Sequence, residues 1–211
     1  MDNENKVSAS CVMLAVNLMT PVSLLSVFDS DDLKDTGLVY DHHITLLYAR
    51  DKKLDKMDVL GAIPMSFTDV LEKKKDPEEF AYPVMSLFEL GSFENDSGYI
   101  VLKLKKESAW FESLSNINST LMNRYDIKSD FPNYTPHVSL AELEPGMTEK
   151  YLENETLKLI LGHSVIHFED IIISYDYEGK DGYDVHDLTH FHSVDRFFRI
   201  REAKKDDKDL H

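Results

Sequence analysis

HHITLLYA occupies residues 42–49 and PHVSLA residues 136–141. Each holds a histidine, one apolar spacer, a hydroxyl residue and a further apolar run: His43-Ile44-Thr45-Leu46 and His137-Val138-Ser139-Leu140. Short apolar runs rich in β-branched side chains read as strands. Side chains two apart in a strand share a face. His43 and Thr45 therefore point one way, and His42, Ile44 and Leu46 the other. His137 and Ser139 share a face in the same manner. Strict alternation carried onward puts Tyr48 opposite His43. If the two strands are neighbours, two imidazoles and two hydroxyls converge on one surface.

Outward from these motifs, the chain reads as alternating short elements. ASCVMLAVNL (9–18) is a buried strand. TPVSLLSVF (20–28) opens a helix with Thr20 as its cap and Pro21 in the first turn. DSDDLKDTG is an acidic loop. Helical pieces at 54–63 and 66–75 are interrupted at Pro64. AYPVMSLFELGSFE and GYIVLKLKK are two strands joined by the turn signal NDSG. The clearest helix is 107–125, where Trp110, Phe111, Leu114, Ile117, Leu121, Met122 and Tyr125 recur three and four apart. GMTEKYLENETLKLIL contains another helical segment, and SVIHFEDIIISYDY a strand. The order is α+β. It reads as one unit used twice, with a His-x-hydroxyl strand in each half. Residues 1–200 form a single bilobal domain on this reading, and 201–211 a charged, flexible tail.

Composition narrows the function. The 211 residues are 42% hydrophobic and 29% charged, which suits one globular domain with a sizeable core. The net charge of -16 argues against gripping long duplex nucleic acid, because phosphate contacts need dense Lys and Arg. A small anionic ligand in a locally positive cleft remains compatible. The single cysteine, Cys11, excludes an internal disulfide framework and reads as a buried thiol. The apolar run CVMLAVNLM is too short to span a membrane and has no basic segment before it. A cytoplasmic protein with no membrane partner is expected.

Two imidazoles flanked by two hydroxyls suit cleavage of a phosphodiester without a metal or other cofactor. One histidine takes a proton from the attacking oxygen and the other protonates the leaving oxygen, since imidazole titrates near neutrality. Hydroxyls and main-chain N–H groups can donate to the nonbridging phosphoryl oxygens. Among nine histidines about one His-x-Ser/Thr match arises by chance, so the spacing alone proves little. The weight comes from the strand-like setting of both matches.

HHITLLYA and TPHVSLAEL resemble the two signature strands of the 2H phosphoesterase superfamily, the relatives of RNA ligase/cyclic phosphodiesterases. LFELGSFENDSGYIVLKLKK resembles that family's middle hairpin, and HFEDIIIS its late strand. The resemblance covers residues 8–178 or so. It implies a bilobal duplicated fold, two antiparallel sheets around a central cleft with helices outside. It implies catalysis without metal by His43, Thr45, His137 and Ser139. It also implies a small nucleotide or oligonucleotide substrate: a 2',3'-cyclic phosphate, or a 2'-5' linked or cyclic oligonucleotide signal, in the last case as viral counter-defence. Ser139 stands where many members carry Thr. The segment from 179 has no counterpart. A nucleotide-sequestering module and an RNA end-processing enzyme are the alternatives; the second calls for a basic track that this acidic chain does not provide.

Other residues carry weaker signals. Tyr134, three before His137, and Tyr40, just before the first motif, are candidates to stack a base. Arg50 is a candidate phosphate contact, with Lys52 and Lys53 beside it; a solvated turn is the plainer reading. Trp110 sits on the apolar stripe of its helix and reads as core, and His42 reads as structural or as a residue supporting the motif from behind. His186, His190 and His192, with Asp184 and Asp187, match no closed metal site and read as a solvated strand and turn. The charge run at 72–79 reads as an exposed helix end.

Overall fold

The computed structural model describes residues 7–63, 81–93, 98–128, 133–177, 190–192 and 199–202. The second helical piece at 66–75, the charge run at 72–79, and Asp184, His186 and Asp187 lie outside them. So do residues 203–211 of the tail.

The strands are β1 (Val7–Met19), β2 (Leu33–Leu38), β3 (His43–Arg50), β4 (Ala81–Pro83), β5 (Phe88–Gly91), β6 (Tyr99–Leu104), β7 (His137–Leu143), β8 (Val165–Tyr177), β9 (His190–His192) and β10 (Arg199–Glu202). They form one ten-stranded sheet in the order β5-β6-β7-β3-β1-β8-β10-β9, with β2 also on β7 and β4 on β8. Pairing is antiparallel except between β8 and β10. The described strands belong to one hydrogen-bonded sheet, and a second, separate sheet is not seen among the described residues. The halves join where Ile44 of β3 pairs with Val138 of β7, both fully buried. Two buried β-branched residues side by side give the strands a shared apolar seam, and pairing there removes two open edges. Arg201 and Glu202, the first residues of the expected tail, belong to β10.

Both motif strands carry a β-bulge at the same place. Along β1, Val12 faces Leu47 but Met13 faces Thr45, so Leu46 is the extra residue of β3. Along β6, Ile100 faces Ala141 but Val101 faces Ser139, so Leu140 is the extra residue of β7. In each case the bulge lies three residues after the histidine. Two consecutive residues then point to the core: Leu46 with Leu47, and Leu140 with Ala141. Alternation resumes out of phase. Tyr48 and Arg50 therefore share the outer face of His43 and Thr45, reversing the position expected for Tyr48.

The helices are α1 (Lys56–Ala62), α2 (Val84–Leu87), α3 (Ala109–Tyr125), α4 (Thr148–Leu152) and α5 (Glu155–Gly162). α3 begins where Ser108 Oγ accepts from the Trp110 N–H at 3.2 Å and ends at Asp126 in the left-handed region, φ 49°. Its stripe of Trp110, Leu114, Ile117 and Leu121 is buried, each contributing about 1.5–3 kcal/mol. Trp110 packs on Phe168 with ring centroids 4.2 Å apart, a core role as its spacing indicated. The face of the sheet that carries Val12, Leu14, Ile44, Leu46 and Val138 is closed into this core. The opposite face of β1, β3, β6 and β7 is left for a site.

Three local expectations change. The helix placed at 20–28 is a 3-10 turn, Leu24–Ser26, capped by Ser23 rather than Thr20. DSDDLKDTG holds a 3-10 turn and then β2, because β7 offers its edge to Leu33 and Leu38. AYPVMSLFELG is not one strand: β4 joins β8 and β5 joins β6, and α2 turns the chain between them. No helix among the described residues is long and apolar enough to cross a membrane.

Candidate functional site

The antiparallel pair Ile44–Val138 sets the geometry. One residue to either side, His43 lies across from Ser139 and Thr45 across from His137. All four are half-buried on the outer face, while Ile44, Leu46, Val138 and Leu140 between them are buried. Each histidine thus stands beside the hydroxyl residue of the other motif.

The two imidazoles are anchored alike. His43 Nδ1 donates to the carbonyl of Asp41 at 2.8 Å, and His137 Nδ1 to the carbonyl of Thr135 at 2.8 Å. A carbonyl only accepts, so Nδ1 carries the proton and Nε2 is left for chemistry. In both cases the acceptor lies two residues before the histidine. His42 reaches back across the junction and donates from Nδ1 to the Ser139 carbonyl at 3.2 Å. It ties β3 to β7 beside the two motifs. Tyr134 donates its hydroxyl to the Thr45 carbonyl at 2.8 Å, bracing the same junction. Burial raises the pKa of that phenol.

The surroundings differ on the two sides. The His137 ring meets the edge of Phe93, with centroids 4.6 Å apart. Lys103 of β6 stands directly across from His137, its Nζ 5.2 Å above the Phe93 ring. Burial is the main cause holding the His137 pKa below the ordinary value; the Thr135 carbonyl opposes this, and the charges of His43 and Lys103 add to it. The His42 pKa is lowered too, again chiefly by burial. Beside His43 opens a cavity of about 770 Å³, lined among others by Met13, Asn17, Tyr40, Asp41, Glu169 and Ile172. Among the described residues its lining holds no Lys or Arg.

The fold therefore brings His43, Thr45, His137 and Ser139 together. Tyr40, 71% exposed, lies on the cavity rim. Arg50 shares the face but lies five residues beyond Thr45, about 15 Å along the strand. Lys52 is drawn to the Tyr125 carbonyl at the end of α3, and Lys53 sits 5.8 Å over the Tyr175 ring. Cys11 faces the site from β1, hydrogen-bonded to Thr45, and burial pushes its thiol up to about 12. No group of three or more His, Cys, Asp or Glu side chains among the described residues is placed to hold a metal.

Sequence reading missed Lys103 and Phe93, and the carbonyls of Asp41 and Thr135. Main-chain acceptors have no residue signature. For Lys103 a signal existed: a lysine interrupting the apolar strand YIVLKL.

No protein-family model matches the sequence, and no curated protein does. Among solved structures the chain is similar to a crystal structure of E. coli LigT complexed with 3'-AMP, at 11% identity and a TM-score of 0.36, over 90% of this chain and 94% of that one.

Proposed function

We propose that the chain is a phosphodiesterase of the 2H phosphoesterase type, acting on a small nucleotide or oligonucleotide. One observation carries the reading: two Nδ1-anchored imidazoles share a face across the Ile44–Val138 pair, each beside the other motif's hydroxyl. The bulge three residues after each histidine supports a duplicated unit. Neutral Nε2 of one histidine removes the proton from the attacking oxygen, water or a neighbouring ribose hydroxyl, as that oxygen bonds to phosphorus. The bond from phosphorus to the leaving oxygen breaks, and the second histidine, protonated, gives that oxygen its Nε2 proton. Exchange with solvent resets both rings. Thr45, Ser139 and nearby main-chain N–H groups donate to the nonbridging oxygens. The cavity beside His43 has the size of small-ligand pockets and seats the nucleoside on that side. Tyr40 at its rim is the base-stacking residue of this reading, and Tyr134 supports the motif strand.

The test is a chromatographic assay in EDTA with 2',3'-cyclic mononucleotides, 2'-5' oligoadenylate, cyclic di- and trinucleotides and a short RNA. Turnover should survive EDTA and fall about a hundred- to ten-thousand-fold in His43→Ala and in His137→Ala. Preference for a cyclic or 2'-5' linked oligonucleotide would carry the counter-defence role with it. Tight nucleotide binding without turnover would instead identify a sequestering module.

A further inference from the structure

His43 and His137 are alike in anchoring and unlike in surroundings, and the difference centres on Lys103. On β6, Lys103 pairs with His137 on one side and Glu89 of β5 on the other. Its side chain does not run out toward Glu89. It lies across Gly91, where an added Cβ would come 3.3 Å from its Cδ and Cε, and ends over the Phe93 ring. Any other residue at 91 would crowd this path, so the glycine holds it open. Among the described residues no carboxylate is ion-paired with Lys103. Among the described residues an ammonium is thus lodged beside His137, while His43 stands next to Asp41 and a cavity whose described lining carries no Lys or Arg.

Building on the phosphodiesterase reading, we propose that Lys103 is a positioning residue: lodged across Gly91 and directly opposite His137, its ammonium repels a second positive charge on that ring, so His137 enters the reaction as the base and His43 as the acid. The titratable and charged groups on the described elements around His137 include Lys103 and Tyr99 on β6, Glu89 on β5, His43, Tyr48 and Arg50 on β3, Lys34 on β2, Glu142 on its own strand and paired with Lys34, Cys11 on β1, and Asp41, His42 and Tyr134 in the adjoining loops. Of these, His43 and Lys103 act on its proton affinity, and both oppose protonation. Burial against Phe93 works in the same direction. A base must be neutral before the reaction and an acid protonated, so unequal surroundings divide the roles. The reaction is the one balanced above, with His137 Nε2 receiving the proton of the attacking oxygen and His43 Nε2 supplying that of the leaving oxygen.

The first experiment needs no turnover. The His137 ring signal, assigned by its loss in His137→Gln, is titrated by NMR in the wild type, Lys103→Met and Lys103→Arg. The midpoint should move to higher pH in Lys103→Met and stay in place in Lys103→Arg; an unmoved or lowered midpoint in Lys103→Met overturns the proposal. The second experiment follows kcat/KM against pH. In Lys103→Met the acidic limb should shift the same way, with a several-fold loss near pH 6 and recovery near pH 8, whereas a merely structural loss would be equal at every pH. The third uses an aryl phosphodiester whose nitrophenolate leaves without a proton. His43→Ala should keep most of the wild-type rate on it and His137→Ala should not; the reverse pattern overturns the assignment. A wild type that turns over no phosphodiester would sink the functional reading, while the titration would still decide what Lys103 does.

Discussion

The bulge in β3 depends on a side chain from behind the sheet. Asn118 on α3 is 8% exposed, and its Nδ2 donates to the carbonyl of Leu46 at 2.7 Å. Leu46 is the extra residue of the bulge, whose carbonyl falls out of the ladder. Asn118→Leu keeps the shape and removes the donor. Leaving a buried carbonyl unsatisfied costs about 1–3 kcal/mol. The added apolar contact returns part of this, so we expect a net loss of about 1–2 kcal/mol, which for a chain of this length lowers Tm by roughly 2–8 °C. Thermal and urea unfolding followed by circular dichroism would measure it, with an unchanged m-value expected. Because Thr45 adjoins Leu46, turnover should fall as well. The comparison is Ser115→Ala on the same helix, whose buried Oγ has no partner among the described residues and whose loss should be neutral or stabilising. An Asn118→Leu protein that melts within 1 °C or so of the wild type would refute the view that this hydrogen bond holds the bulge.

Gly98→Ala should destabilise by about 3 kcal/mol or more, because φ is +74° and the new Cβ would sit 2.3 Å from the Leu143 carbonyl oxygen; a soluble variant with wild-type unfolding would contradict this. Tyr134→Phe should cost about 1 kcal/mol through loss of its bond to Thr45, and reduce kcat more than it raises KM if the phenol braces the strand rather than stacks a base. Stability should fall on acidification. The pKa of His42 and of His137 is lowered on folding, so between the folded values and about 6.5 the unfolded chain binds more protons. Their contribution is complete above that pH and is lost as pH falls through the window. Calorimetry of the wild type and His42→Gln should show a shallower decline in the variant. Asp32, held low chiefly by Lys150, acts only in the carboxylate range below it.

The two motifs were legible because strand alternation is a local rule. Spacing alone put His43 with Thr45 and His137 with Ser139, and the apolar stripe from Trp110 to Leu121 defined α3 within two residues of its ends. Much of what failed depended on a partner strand. Tyr48 changed face because of a bulge, which is a property of two strands in register and not of HITLLYAR by itself. AYPVMSLFELG broke into β4, α2 and β5 because β8 and β6 each claimed one end of it. The one sheet of the described strands, the matched Nδ1 anchors and the placing of Lys103 beside His137 are likewise tertiary facts. Residue order determined which side chains could carry acid–base chemistry. Long-range strand pairing decided which of them meet and how unequal their surroundings are, because register and main-chain hydrogen bonds join residues about ninety positions apart.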